Sequence, residues 1–191
     1  MKKKMSLLLP IFLGLGLFIA CNQNHPSIDE ETRVSTPSIS LYDLLLTIED
    51  MPESWVGYPP FKSPDSLCYF DCVTVQFDAQ TDGQSRATHD IYVYKSATEA
   101  KRSFEKQVLP LIGETPPRWD YVSEFADQSD FACYTYAYPA YPNCEWTARY
   151  DRYIVVFYSW LVPEKMTFNE LEDIIRVIES KMSIVISTNN K

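Results

Sequence analysis

The spacing of apolar residues changes several times along this chain, and each change marks a predicted element. Val73, Val75 and Phe77 alternate with Thr74, Gln76 and Asp78, the period of a half-buried strand. His89–Tyr94 reads as a second strand, and Asp82-Gly83 between the two is a turn signal, so an antiparallel hairpin is expected. The period then lengthens. Ala97, Ala100, Phe104, Val108 and Leu111 fall at helical spacing behind the capping box Ser96-Ala97-Thr98-Glu99, predicting a helix over about 97–109 that Pro110 and Gly113 close. A short edge strand is expected at 118–122. Runs at 131–138, 145–150 and 153–160 are rich in aromatic and β-branched residues and read as strands. Asp151-Arg152 joins the last two, and the almost wholly apolar run 153–160 is expected at the centre of the sheet. A second capping box, Thr167-Phe168-Asn169-Glu170, precedes a stripe of Leu171, Ile174, Ile175, Ile178, Met182 and Val185. That is an amphipathic helix, with Glu172, Asp173, Arg176, Glu179 and Lys181 expected toward solvent.

The opening of the domain is shorter-ranged. Ser40 can cap a short helix with Asp43 three residues on, and Thr47 with Asp50 repeats the logic. Leu41, Leu44, Leu45 and Ile48 are expected to face a core, Met51-Pro52 to end the helix, and Pro59, Pro60 and Pro64 to mark an irregular stretch. The order of short helix, two strands, helix, three or four strands and helix predicts an α+β fold. Its expected form is a curved antiparallel sheet of about five strands with helices packed on one face. The single domain should span 40–186, with a polar tail at 187–191. No series of strand–helix–strand crossovers occurs, which disfavours a Rossmann fold.

The N-terminus is an address. Lys2, Lys3 and Lys4 precede an apolar run from Met5 to Ala20. Sixteen residues are short for a hydrocarbon span, which takes about 20, so residues 1–20 read as an export signal. Phe18-Ile19-Ala20-Cys21 resembles the bacterial lipobox, which implies cleavage before Cys21 and acylation of its thiol, palmitate among the chains. An ordinary secreted protein with a chance cysteine is the alternative. Residues 21–39 are then the lipidated cysteine and a polar tether with Pro26 and Pro37. The expected location is the cell envelope, lipid-anchored on the extracytoplasmic side of a bacterial membrane.

Composition and charge narrow the function classes. The 191 residues are 46% apolar and 23% charged, as a packed domain requires. The net charge is −9, and removing the basic leader leaves 14 basic against 26 acidic residues, or −12. A nucleic-acid partner is excluded, since a phosphate-backbone binder needs a basic footprint. Four cysteines remain after Cys21, an even number that export permits to pair. The pairing Cys133–Cys144 with Cys68–Cys72 is favoured, because strands turning back between Cys133 and Cys144 would join the sulfurs. Crosswise pairing stays open. Closing that 12-residue loop would contribute about 2.8 kcal/mol in the chain-entropy model. The spacings do not suit a zinc knuckle or a Cys-x-x-Cys redox site at a helix start.

The search for chemistry is brief. No phosphate loop, HExxH, Gly-x-Ser-x-Gly or Cys–His arrangement occurs. His89 is expected just before its strand, solvated or structural, and its neighbour Asp90 should point to the other face. Glu124, Asp127, Asp130 and Asp151 are loop acids without the calcium-loop pattern. No metal, cofactor or catalytic residue is expected, and the chain reads as a non-enzyme. Tyr92 and Tyr94 share one strand face, and Tyr134, Tyr136 and Tyr138 share another. These five are the candidate binding surface, with packing beneath the helices as the alternative.

The segment Leu44–Pro52 with Trp55, the later Ala126-Asp127-Gln128, the strand ending at Trp160 and the final Leu/Ile helix resemble the extracellular sensor domains of mycobacterial kinases and related lipoproteins. The plan is similar to the two-layer PsbP-type fold. The resemblance covers most of 41–184. It implies an exported module that binds a ligand or partner, and it assigns no disulfide and no catalytic residue. The expected function is a membrane-tethered binding or scaffold module whose partner is an envelope protein or a small ligand. An envelope hydrolase using loop carboxylates and a purely structural lipoprotein are the alternatives.

Overall fold

The computed structural model describes residues 39–62, 70–79, 85–108, 121–135, 142–160 and 165–189. They form an α+β fold around a six-stranded antiparallel sheet. The strands are β1 (Trp55–Gly57), β2 (Asp71–Ala79), β3 (Arg86–Val93), β4 (Gln128–Thr135), β5 (Pro142–Tyr150) and β6 (Tyr153–Trp160), in the order β1-β2-β3-β6-β5-β4. The last strand in sequence thus inserts beside β3. Its buried alternation Ile154/Val155/Phe157 explains why, since only an interior strand buries both faces.

Alternation separates two cores. Val73, Val75, Phe77, Ala87, Ile91, Val155, Phe157, Trp146 and Phe131 point to one face. Against them lie Leu171, Ile174, Ile175, Ile178, Met182 and Val185 of α2 (Phe168–Asn189), with Leu44, Leu45 and Leu46 from the opening turns. Their neighbours Cys72, Tyr92 and Ile154 belong to a smaller cluster with Tyr94, Ala100 and Phe104. There the cover is α1 (Ala97–Ser103), which runs on as a wider π-type turn through Val108. Ser96 caps α1 by accepting from the Glu99 N–H at 3.2 Å. Thr167 and Glu170 cap α2 reciprocally: the Glu170 N–H donates to the Thr167 hydroxyl at 3.3 Å, and the Thr167 N–H donates to the Glu170 carboxylate at 2.7 Å.

Several expectations are corrected. The opening is not one helix but two 3₁₀ turns, Leu41–Leu44 and Ile48–Asp50. Three consecutive leucines, 44 to 46, are buried, whereas Ile48 is 39% exposed. A helical period cannot bury three in a row against a flat sheet, so the chain extends at Leu45 instead. Trp55–Gly57, where no strand was expected, is an edge strand paired with Phe77–Ala79. Tyr121–Ser123 is not a strand, and 118–120 lies outside the described residues. The final helix passes the expected end at 186 and reaches Asn189, where the Ser187 hydroxyl bonds back to the Ile184 carbonyl at 2.8 Å. The Asp151-Arg152 connection joins β5 to β6 as expected, with Asp151 at φ 52°.

Candidate functional site

The face under α2 holds two polar side chains that the sequence pattern misplaced. His89 sits within β3, fully buried between Val75 and Phe157. Its Nδ1 accepts from the Leu46 N–H at 3.1 Å, so its proton resides on Nε2, which has no hydrogen-bond partner. Burial, with the Lys181 ammonium nearby, pushes its pKa down to about 3 while Asp50 opposes weakly. The imidazole is therefore neutral. Lys181 donates to the Leu45 carbonyl at 2.8 Å and to Asp50 at 2.9 Å, and Asp50 accepts the Thr47 N–H at 2.8 Å. These bonds pin the Leu44–Asp50 segment. Burial pushes the Asp50 carboxyl up, but the Thr47 N–H and Lys181 outweigh it and hold the pKa below the usual value.

Glu179, expected toward solvent, is 2% exposed. It accepts from the hydroxyls of Tyr121, Ser123 and Tyr150, the last at 3.1 Å. Burial and the adjacent carboxylate raise both tyrosine pKa values. The Arg176 guanidinium lies 4.8 Å from the Tyr121 ring centroid. The signal was present in the spacing: Glu179 is four residues after Ile175 and three before Met182, on the apolar stripe itself.

The second face is different beyond the reach of α1. Successive cross-strand rows carry Thr74, Asp90, Val156 and Thr147, then Gln76, Thr88, Tyr158 and Glu145, then Trp160, Asn143 and Tyr134. Most are half-buried, and Thr74, Thr147 and Asn143 are buried. The polar groups engage one another. The Thr147 hydroxyl donates to Glu145 at 3.2 Å, the Tyr158 hydroxyl donates to Asn143 Oδ1 at 2.8 Å, Trp160 Nε1 donates to the Tyr158 oxygen, and Thr74 donates to Asp90. Burial raises the Glu145 pKa, the Thr147 hydroxyl opposes this, and the Asp90 charge adds to it. The arrangement places two acids, two amides and hydroxyls beside indole and phenol rings. It can hydrogen-bond a polar ligand and stack against its apolar part.

The expected tyrosine surface divides. Tyr92 and Tyr94 are 4% and 3% exposed beneath α1, and the Tyr94 hydroxyl bonds Ser103 at 2.8 Å. They pack as core, because α1 needs an apolar bed. Tyr134 is half-buried in the polar face, while Tyr136 and Tyr138 lie outside the described residues. Sequence reasoning set Asp90 on the face opposite His89, as found, but missed Glu145 and Thr147, although their parity with Asn143 along β5 placed them on that face.

Cys133 and Cys144 are directly opposed on β4 and β5 and joined by a disulfide, with Cα atoms 4.1 Å apart. Cys72 is buried and disulfide-bonded, and Cys68 and Cys21 lie outside the described residues. Of the acids expected in loops, Asp127 serves the β5–β6 turn, whereas Asp130 lies within β4. Asp127 accepts from Arg149 at 2.9 Å and from the Asp151 N–H at 2.7 Å, and Asp130 accepts from the Phe131 N–H at 2.8 Å. Among the described residues no three His, Cys, Asp or Glu side chains are grouped to hold a metal. No described helix is long and apolar enough to cross a membrane.

No protein-family model matches the chain, and no curated protein matches it. Among solved structures it is similar to the extracellular domain of PknH from Mycobacterium tuberculosis. The identity is 11% and the TM-score 0.49, over 74% of this chain and 94% of that one, a loose likeness in fold.

Proposed function

We propose that this chain is a lipid-anchored extracytoplasmic binding module that engages its ligand through the polar half of the second sheet face. The observation that carries the reading is Glu145. Its carboxyl is held partly out of water with a raised pKa, one strand from Tyr158 and facing the same side as Asp90. A strand position that only needed stability could carry an apolar residue, as Trp146 and Ala148 do on the α2 side of the same strand. The two acids favour a neutral or cationic ligand over an anionic one. Export is supported by the Lys2–Lys4 leader and Ala20-Cys21, and by a disulfide of the kind oxidising compartments sustain.

The test uses the chain purified from bacterial membranes. Mass analysis of its mature N-terminus is expected to show cleavage before Cys21 and an acyl mass. Native mass spectrometry is expected to show a bound species that Glu145→Gln with Trp160→Ala removes while the melting temperature changes little. Retention of the same bound species in that variant contradicts the assignment of the site.

A further inference from the structure

Exposed apolar side chains are not spread evenly over the described surface. Nine large ones are exposed: Tyr42, Ile48, Val56, Tyr58, Phe61, Phe70, Val122, Phe125 and Ile184. The first six gather at one place, the β1 edge of the sheet. Val56 lies on β1 itself, and Tyr58 and Phe61 continue along the outside of β2, where their N–H groups donate to the Gln76 and Thr74 carbonyls at 2.9 Å. Lys62 then bonds Asp71 at 2.7 Å, which brings Phe70 alongside. Tyr42 lies on the Leu41–Leu44 turn, which packs on β2 beside β1. Ile48 packs beside Gly57. Phe70 is 60% exposed and Tyr42 47%. Exposed apolar groups at this density mark a contact surface rather than chance.

Two observations select the occupant. The edge is built against an added strand: the residues between Tyr58 and Phe61 are Pro59 and Pro60, which offer no N–H to a neighbouring chain. One side of the patch, Tyr42, lies at the point where the chain enters the domain. Ile39 and Ser40 lead directly into the turn that carries Tyr42, and the segment before them runs back to Cys21. Aromatic rings with a hydroxyl or an apolar edge, flanked by a lysine, suit the boundary between headgroups and acyl chains. Lys62–Asp71 and Arg86–Asp78 pair off, while Asp43, Glu49 and Glu53 stay exposed on the opening turns, so the surface suits a zwitterionic bilayer rather than an anionic one.

We propose that the β1 edge, through Tyr42, Tyr58, Phe61 and Phe70, seats on the interfacial zone of the same bilayer that holds the lipid anchor. The domain then stands with β4, the opposite edge, farthest from the membrane. Five strand spacings separate the two edges, about 24 Å. This rests on the anchoring at Cys21 put forward above, and it leaves the polar half of the second face facing sideways along the membrane.

The test places the full lipidated chain in phosphatidylcholine nanodiscs doped with a gadolinium-chelating lipid and records amide relaxation by NMR. Enhancement is expected to be several-fold greater at Tyr42, Tyr58, Phe61, Lys62 and Phe70 than at Gln128, Ser129 and Asp130 of β4. Phe61→Ser with Phe70→Ser is expected to flatten that gradient, with little change in melting temperature since neither ring belongs to a buried core. Tyr42→Gln with Tyr58→Gln provides the same reading should the first pair perturb folding. An acylated chain with equal enhancement at both edges, or a gradient that survives both variants, overturns the seating and leaves the anchor intact. A chain without an acyl mass removes the anchor, and the seating with it.

Discussion

The two faces of one sheet have been given opposite compositions. Under α2 the side chains are mostly apolar and closed, and its buried imidazole and carboxylate are tied down. His89 holds the Leu46 N–H, and Glu179 gathers three hydroxyls. On the second face α1 closes only one end, and the remainder carries Asp90, Glu145, Thr147, Tyr158 and Trp160. Both faces are built by the same strands, so neither propensity nor topology accounts for the contrast. The difference lies in what each face must exclude. Water excluded by α2 stabilises the fold, while a face that keeps acids and hydroxyls half-solvated gives up that stabilisation and retains groups able to bind.

The sharpest way to break the comparison is to empty each face in turn. Phe157→Ala removes a fully buried ring from under α2 and should cost about 3–5 kcal/mol in denaturant unfolding, whereas Thr88→Ala on the second face should cost less than about 1 kcal/mol. Equal losses would mean that both faces are core.

Acid sharpens it next. His89 binds protons in the folded state only near pH 3, against 6.5 when unfolded. Between those values the unfolded chain carries more protons, so stability is fully present above about pH 6.5 and declines as the pH falls. The slope is about 1.4 kcal/mol per pH unit, or about 2 kcal/mol lost by pH 5. His89→Gln should remove most of that slope in a pH series of unfolding curves. An unchanged slope would place the acid sensitivity elsewhere.

Much of this architecture was legible because its signals are periodic. Val73, Val75 and Phe77 at period two, the run 153–160, and both capping boxes carry their own structure. What escaped notice lacks a period. Trp55–Gly57 is three residues long and is a strand only because β2 offers it an edge. Ile48 points outward because the leucines before it have already filled the space. Glu179 was assigned to solvent by its charge, although its position belonged to the apolar stripe; the hydroxyls that receive it come from 29, 56 and 58 residues away. The candidate site was partly legible. Tyrosine parity identified faces but not which one a helix would cover, and covering is a tertiary fact. Tyr92 lies under α1 while Thr88, on the same side of β3, does not.

The division of labour between the faces is tested most directly inside living cells. A photo-crosslinking side chain placed at Thr88 or Gln76 samples the second face, and one placed at Asp173 samples the outer side of α2. The account predicts discrete adducts from Thr88 and Gln76, lost when Glu145→Gln is combined with Trp160→Ala, and none from Asp173. Adducts from Asp173 alone, or an identical set from all three positions, would contradict it.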